Sequence, residues 1–226
     1  MKILRSTLLA SALLAPGFAL AGGVDPAPPP APAPVPPPVM YDWSGFYIGG
    51  LLGYGDGSYG NGDDFPGDGE GDWNGSLYGI ALGYNFQNGN MIYGAELTYS
   101  SADMDGSEDC VNPAFQCIGT LDSIATLRGR VGYVVAPSTM VFGTFGFARA
   151  DVNFSTDIGA GPVGENRNLN GYVIGAGAEH ALSDSLSLRG SVLYYDFGGD
   201  DFQTDIVYDD VGGDLIQLEV GLMFRF

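Results

Sequence analysis

Positive charge and histidine are scarce in this sequence. Its 226 residues contain a single lysine, Lys2, and a single histidine, His180, and only eight Lys and Arg residues stand against 27 acidic ones. The formal net charge at pH 7 is therefore −19. Because nucleic-acid binding depends on basic side chains that neutralise phosphates, this composition excludes a nucleic-acid-binding protein.

Long apolar runs are also missing. No uninterrupted stretch of about 18 apolar residues occurs, and a membrane-spanning helix needs one. Glycine, with 37 residues, and phenylalanine and tyrosine, with 13 each, are abundant instead. Aromatic residues favour strands and glycine favours turns, so we predict an all-β protein. A closed β-barrel is the other structure that satisfies every backbone N–H group in lipid.

The first 42 residues predict two segments that precede the folded domain. Residues 1–21 carry Lys2 and Arg5, an apolar centre and a small-x-small cleavage site, a pattern typical of a secretory signal peptide. Its removal leaves six basic and 27 acidic residues, a net charge of −21. Residues 22–42 contain nine prolines and form a predicted periplasmic linker, which is either a tether toward the cell wall or an inert leader.

The last twelve residues alternate strictly between an apolar and a polar face. The apolar face carries Ile216, Leu218, Val220, Leu222, Phe224 and Phe226, and the other face carries Gln217, Glu219, Gly221, Met223 and Arg225. A tilted strand of this length crosses a hydrocarbon layer of roughly 30 Å. We therefore predict a membrane strand with its apolar face toward lipid and its polar face toward a barrel interior.

Residues 43–226 contain eight segments of this kind and are predicted to form the whole barrel. The candidate strands are residues 44–54, 73–86, 91–100, 121–135, 140–154, 169–182, 185–197 and 215–226. The connections alternate between tight turns and segments of 14 to 20 residues, which is typical of outer-membrane barrels. The prediction is an eight-stranded antiparallel transmembrane β-barrel with short periplasmic turns and long extracellular loops.

Charged residues lie on the predicted inner faces of five strands. They are Glu96, Arg128, Arg130, Glu179, Arg189 and Glu219. Isolated buried ions cost several kcal/mol each, so we expect these side chains to pair. The interior of an eight-stranded barrel has room for side chains and little else, so we expect the network to plug the lumen. The alternative is a charged ring that selects ions.

Five motifs, in order along the chain, resemble the small outer-membrane, porin-like protein family of alphaproteobacteria, which is related to the Brucella 25- and 31-kDa proteins. They are the segments 43–50, 127–133, 175–180 and 194–198 and the Phe-Arg-Phe ending. The resemblance implies an outer-membrane location, a role in envelope integrity or host contact, and insertion by the outer-membrane assembly machinery. The assembly signal would be Phe226, together with Phe224 and Leu222.

The resemblance also implies two finer features. Relatives have been associated with attachment to peptidoglycan through the mature N-terminus, which would place the linkage at Gly22. The family often has a glutamate within the seventh strand, whereas this chain has Ser191. We therefore expect the internal ion pairs to be arranged differently in this chain.

Cys110 and Cys117 lie in one predicted extracellular loop. A close, even pair in an exported protein favours a disulfide, and no histidine or further cysteine accompanies the pair to favour a redox or metal role. The loops are acidic and could attract divalent cations, but they lack a complete EF-hand spacing. We expect a solvated acidic surface, with no metal site and no cofactor.

The sequence therefore predicts a monomeric outer-membrane protein with a structural and surface-interaction role, in contact with lipid and lipopolysaccharide. A narrow channel for small solutes is the first alternative, and a receptor or adhesin for haem or a host surface is the second. An enzyme is not expected, because His180 lies near a predicted periplasmic turn, away from the outer rim where a Ser–His site would lie.

Overall fold

A computed structural model describes residues 40–226 of the protein. The predicted signal peptide and most of the linker, with Gly22, lie outside the described residues. Eight strands follow one another along the described part: β1 (Gly45–Gly60), β2 (Gly71–Asn88), β3 (Met91–Asp109), β4 (Gln116–Ala136), β5 (Thr139–Asp157), β6 (Pro162–Ala181), β7 (Leu186–Gln203) and β8 (Val207–Arg225). Within residues 40–226 there is no helix long and apolar enough to span a membrane.

The strands form one closed antiparallel ring. Each strand pairs with the next, and β8 pairs with β1 from Tyr47↔Arg225 to Gly60↔Gly212. The predicted fold class, an all-β barrel of eight antiparallel strands, is confirmed. Because the ring is closed, backbone groups in the middle of its wall find partners on both sides.

The predicted strand ends at the extracellular side were wrong, because the strands continue well past them. β3 runs to Asp109 rather than to residue 100, and β8 begins at Val207 rather than at residue 215. The connections there shrink to residues 61–70, 110–115, 158–161 and 204–206. The strand ends added beyond the predicted ones are rich in Gly, Asp and Ser, which favour turns locally. Cross-strand pairing nevertheless decides their conformation. Their outer face meets water rather than lipid.

The outward side chains of the middle of each strand form an apolar belt. On β8, Leu218 and Leu222 are 60% and 52% exposed, whereas Glu219 between them is 3% exposed. Phe145 and Phe147 also point outward, at 60% and 72% exposure. Tyrosine and phenylalanine at the margins, such as Tyr54, fit the aromatic girdles of membrane barrels.

Candidate functional site in the barrel interior

The predicted ionic residues lie together inside the barrel. Strand pairing places Glu96 opposite Arg128 and Glu179 opposite Arg189. Successive side chains of a strand alternate between its two faces, so the same pleat that turns leucines to the outside turns these groups inward. All six predicted members, Glu96, Arg128, Arg130, Glu179, Arg189 and Glu219, are at most 4% exposed.

Glu96 is the first centre of this charged layer. Its Oε1 accepts a hydrogen bond from Nη2 of Arg128 at 2.5 Å, and its Oε2 accepts one from Nη1 of Arg189 at 2.5 Å. The Tyr47 hydroxyl donates to the same Oε2 at 2.7 Å, and Nη1 of Arg130 lies 3.7 Å away from it. Charge-assisted hydrogen bonds of this kind are about twice as strong as neutral ones, so Glu96 holds three arginines around one carboxylate.

Glu179 is the second centre. Its Oε2 accepts hydrogen bonds from Nε of Arg189 at 3.1 Å and from Nη2 of Arg130 at 3.2 Å. Its Oε1 accepts from the Ser187 hydroxyl at 2.7 Å and from Nη2 of Arg225 at 3.4 Å. Arg130 and Arg189 each touch both glutamates, so they join the two centres into one network.

Glu219 is held more loosely than the other two carboxylates. Its Oε1 accepts from the Ser191 hydroxyl at 3.1 Å and lies 3.9 Å from Nη2 of Arg128. Ser191 is the residue where the family resemblance led us to expect a glutamate. A hydroxyl in this place supplies a neutral hydrogen bond to Glu219, where a second carboxylate would repel it.

Arg225 and Tyr47 belong to the charged layer but were missed by sequence reasoning. Arg225 donates to the carbonyl of Trp43, and its guanidinium lies 5.4 Å from the Trp43 ring. The Tyr47 hydroxyl accepts from Nη1 of Arg130 at 2.9 Å while it donates to Glu96. Arg225 sits on the predicted polar face of β8, so its inward direction was predictable, although its partners were not.

Gly83 makes the position of Tyr47 possible. A Cβ atom at Gly83 would lie 2.3 Å from the Tyr47 ring and hydroxyl, closer than any real contact. Only glycine leaves that space on β2. The glycine thus lets the Tyr47 ring pass over β2 to reach Glu96 on β3.

The charged layer carries one excess positive charge. Among the described residues it contains three buried glutamates and four buried arginines. Cation–π contacts offset part of the free-energy cost of burying these arginines, since the Arg130 guanidinium lies 4.0 Å from the centroid of the Phe142 ring. The layer is therefore sensitive to the loss of any carboxylate.

An apolar cap closes the periplasmic end below the charged layer. Trp43, which is fully buried, packs with Ile92, Val134, Met140 and Phe142. The chain before β1 is anchored at this end because the backbone N–H of Trp43 donates to Oε1 of Gln87 at 2.8 Å. The sequence identifies the motif around Trp43 but did not predict that this side chain lies inside the mouth of the barrel.

A large aromatic cluster fills the extracellular half of the lumen. Phe154 is fully buried at its centre, with ring centroids 5.6 Å from Tyr59, 5.8 Å from Phe65, 6.1 Å from Trp73 and 4.7 Å from Phe202. Phe65 comes from the connection between β1 and β2, which folds over the opening. The sequence indicates this cluster, because apolar residues recur at the inward-facing positions of the strands beyond their predicted ends.

The disulfide between Cys110 and Cys117 is confirmed, with an S–S distance of 2.02 Å. Both cysteines are buried in the same aromatic cluster. The bridge closes the connection between β3 and β4. It therefore belongs to the packed end of the barrel, as a structural bond.

The remaining predicted site residues lie on the outside of the barrel. Leu222, Phe224 and Phe226 are outward and exposed, and the Phe226 N–H donates to the carbonyl of Phe46 at 3.0 Å. His180 is exposed near the turn between β6 and β7, with Nδ1 2.9 Å from the Thr139 hydroxyl. Within residues 40–226, no group of three His, Cys, Asp or Glu side chains is arranged to hold a metal ion.

Comparisons with known proteins agree with this architecture. A family model described as "outer membrane protein beta-barrel domain" matches residues 18–224. The chain is similar to the 22 kDa outer membrane protein of Rhizobium leguminosarum bv. viciae, with 30% identity over 184 residues, 81% of this chain and 78% of that protein. It is similar to the 25 kDa outer-membrane immunogenic protein of Brucella canis, with 29% identity over 253 aligned residues and 100% of both chains. The solved structure of OprG from Pseudomonas aeruginosa shares the fold, with a TM-score of 0.51 and 11% identity over 83% of this chain and 98% of OprG.

Proposed function

Because the chain belongs to the outer membrane protein β-barrel domain family, we propose that it is a closed, non-conducting barrel with a structural role in the envelope. The protein is located in the cell outer membrane, as its relatives are. The observation that carries the proposal is the filled lumen. Three successive layers of buried side chains occupy the interior: the cap around Trp43, the charged layer around Glu96 and the aromatic cluster around Phe154.

The filled lumen argues against the alternative of a narrow solute channel. A continuous aqueous path needs polar walls with space between them, whereas packed side chains leave voids smaller than a water molecule. The charged layer alone resembles a selective ring, but its ions are within hydrogen-bonding distance of one another across the lumen. Paired charges of this kind bridge the walls.

We expect the folded protein to give no steady conductance in planar lipid bilayers at neutral pH. The folded state of the same protein preparation is checked by electrophoresis, because a folded small barrel migrates differently in SDS before and after boiling. That control separates a closed barrel from a misfolded one. Reproducible openings of one size from inserted protein would contradict the proposed function and would favour the channel.

The surroundings of the barrel follow from its outer surface. We propose that the apolar belt contacts outer-membrane lipid and lipopolysaccharide, and that the barrel is a monomer, since closure leaves no free strand edge within the belt. The strands that project beyond the belt supply a surface for interaction with other molecules. Attachment to peptidoglycan at Gly22 stays a prediction from the sequence.

We also propose that the outer-membrane assembly machinery reads the exposed end of β8. Phe226 is 77% exposed, and its ring packs edge-on against that of Phe224, at 5.3 Å between ring centroids. We expect Phe226→Ala to lower the amount of folded barrel in cells several-fold, while the urea midpoint of protein refolded in detergent shifts little. Phe147→Ala, which removes a ring of similar exposure from β5, is the matched control. Equal folded amounts of the two variants in cells would remove the proposal.

A further inference from the structure

Above the apolar belt the barrel wall is open between β6 and β7. Registered pairing of the two strands ends at Gly171↔Phe197. Beyond that point β6 still pairs with β5, as far as Pro162, and β7 still pairs with β8, as far as Gln203. Residues 162–170 of β6 and 198–203 of β7 therefore each have a neighbouring strand on one side only. We refer to this gap as the β6–β7 seam.

Irregularities in the pairing of β7 with β8 accompany the seam. The register shifts between Phe197 and Asp200, where one extra residue lies on β7, and shifts again between Asp200 and Phe202. Asp210, on the facing segment of β8, has a positive φ of 56°. A bulge bends its strand and increases the local twist, which accounts for the departure of β7 from β6.

Side chains cross the seam where backbone pairing does not. The Gln203 N–H donates to Oε1 of Glu165 at 2.8 Å, and Nη1 of Arg167 lies 3.4 Å from Oδ2 of Asp200. The Arg167 guanidinium is 5.9 Å from the Phe202 ring, which it covers from above. These contacts protect the aromatic cluster, but they leave the edge of β6 without a partner strand.

A second gap in the wall is covered by the chain itself. Pairing of β2 with β3 ends at Asn74↔Asp105, although β3 continues to Asp109. There the connection between β1 and β2 lies alongside, and the Gly67 N–H donates to the carbonyl of Asp109 at 2.9 Å. None of the connections in residues 40–226 makes such a backbone bond to the open edge of β6.

The charge around the seam defines what could pair with it. Carboxylates outnumber basic side chains there: Asp157, Glu165, Asp200, Asp201 and Asp205 stand against Arg167 and Arg149, whose Nε donates to Oδ1 of Asn168 at 3.2 Å. The hydrogen bond from the Gln203 backbone N–H, together with Arg167, lowers the pKa of the Glu165 carboxyl below its ordinary value. A second copy of this chain would bring the same acidic edge and be repelled, whereas a cationic strand would be attracted.

We propose that the β6–β7 seam binds an extended, lysine-rich peptide segment of another protein. The segment adds as a strand to residues 163–170 of β6. Unpaired N–H and C=O groups at a sheet edge bind extended chains through backbone hydrogen bonds, and pockets and charges beside the edge select the sequence. Lysine side chains of the added strand would meet the carboxylates on the β7 side of the seam.

Hydrogen exchange tests whether the edge is free. In the folded protein in detergent micelles, alternate amides of residues 163–170 face the seam and are expected to exchange at least about tenfold faster than those of residues 149–156 of β5. Those β5 residues lie at the same level and pair with β4 and β6 on both sides. Equal protection of the two segments would overturn the proposal.

A defined peptide tests the partner. A blocked ten-residue peptide of alternating Lys and Thr is expected to slow exchange in residues 163–170 by about tenfold at saturation. The same peptide with every backbone nitrogen methylated keeps its charge but cannot donate, and a Glu–Thr peptide reverses the charge. If the methylated peptide also slows amide exchange in residues 163–170, charge attraction alone accounts for binding. If the Glu–Thr peptide slows it, positive charge is not what the seam selects. Either result overturns the proposal.

A pair of matched variants locates the binding surface. Asp200→Asn with Asp201→Asn removes two charges at the seam, and we expect the affinity for the Lys–Thr peptide to fall roughly fivefold to tenfold. Asp103→Asn with Asp105→Asn removes two exposed charges from β3, across the barrel from the seam, and should change the affinity less than about twofold. Equal losses in the two double variants would contradict binding at the seam.

Discussion

Glu96→Ala is expected to lower the free energy of unfolding by about 3–5 kcal/mol, the usual cost of breaking a buried ion pair by removing one partner. Glu96 accepts hydrogen bonds from Arg128, Arg189 and Tyr47. The charged layer already has four arginines for three glutamates, so the variant would leave four guanidiniums with two carboxylates. Urea unfolding of the refolded protein in detergent, followed by tryptophan fluorescence, measures the loss.

Two further variants show whether the loss comes from charge imbalance. Asp68→Ala removes an exposed carboxylate from the connection between β1 and β2 and should change the free energy of unfolding by no more than about 0.5 kcal/mol. Glu96→Ala with Arg128→Met removes one charge of each sign and should recover a large part of the stability. If Glu96→Ala and Asp68→Ala unfold at the same urea concentration, the charged layer does not stabilise the barrel.

Phe154→Ala is expected to cost about 3–5 kcal/mol, because it leaves a cavity at the centre of the aromatic cluster in addition to removing buried apolar surface. The Phe154 ring is fully buried and contacts the rings of Tyr59, Phe65, Trp73 and Phe202. Its neighbours come from three other strands and from the connection that covers the opening. These elements are held by the closed wall and cannot collapse into the space, so the cavity persists.

The same strand offers the matched control for Phe154. Phe147 is 72% exposed on the lipid face of β5, and its replacement by alanine creates no internal cavity. We expect Phe147→Ala to cost no more than about 1–2 kcal/mol, the transfer free energy of the lost apolar surface. Urea midpoints in the same detergent compare the two variants. A cost for Phe147→Ala equal to that for Phe154→Ala would mean that the aromatic cluster contributes no packing energy of its own.

The two substitutions probe separate layers. Glu96 and Phe154 share no contact partner, and polar residues such as Thr98 and Thr126, whose hydroxyls lie 2.6 Å apart, separate the two layers. Contributions of residues that share no partner usually add. The double variant should therefore lose the sum of the two single losses. Additive losses would show that the two layers fill the lumen independently of each other, as the closed-barrel proposal assumes.

The fold and the direction of most side chains were predictable from local periodicity. Leu218 and Glu219 illustrate this, because a strand with period two must place adjacent residues on opposite faces. The same argument places Glu179 and Arg189 inside the barrel. The eight periodic segments predicted the strand number, and the matches to relatives along the whole chain confirm the family resemblance.

The contacts within the interior were not predictable in the same way. Arg225 is the clearest case: its side chain reaches Glu179 on β6 and the carbonyl of Trp43 ahead of β1. Such contacts depend on the register of strands that are distant in sequence, and one residue of slippage exchanges the faces of a strand. No local pattern carries that register, so Arg225 and Tyr47 were left out of the predicted network.

The sequence by itself determined that this chain is a barrel of the outer membrane with lipid-facing leucines and inward charges, because alternation is a local property of each strand. Only the tertiary structure decided how far the strands extend, how the lumen is filled and where the wall opens. Those features result from closing the ring, since closure brings Tyr59, Trp73 and Phe154 together and leaves β6 and β7 apart beyond Gly171. The physical reason is that cross-strand hydrogen bonds and packing outweigh the local turn preference of Gly and Asp wherever a neighbouring strand is present.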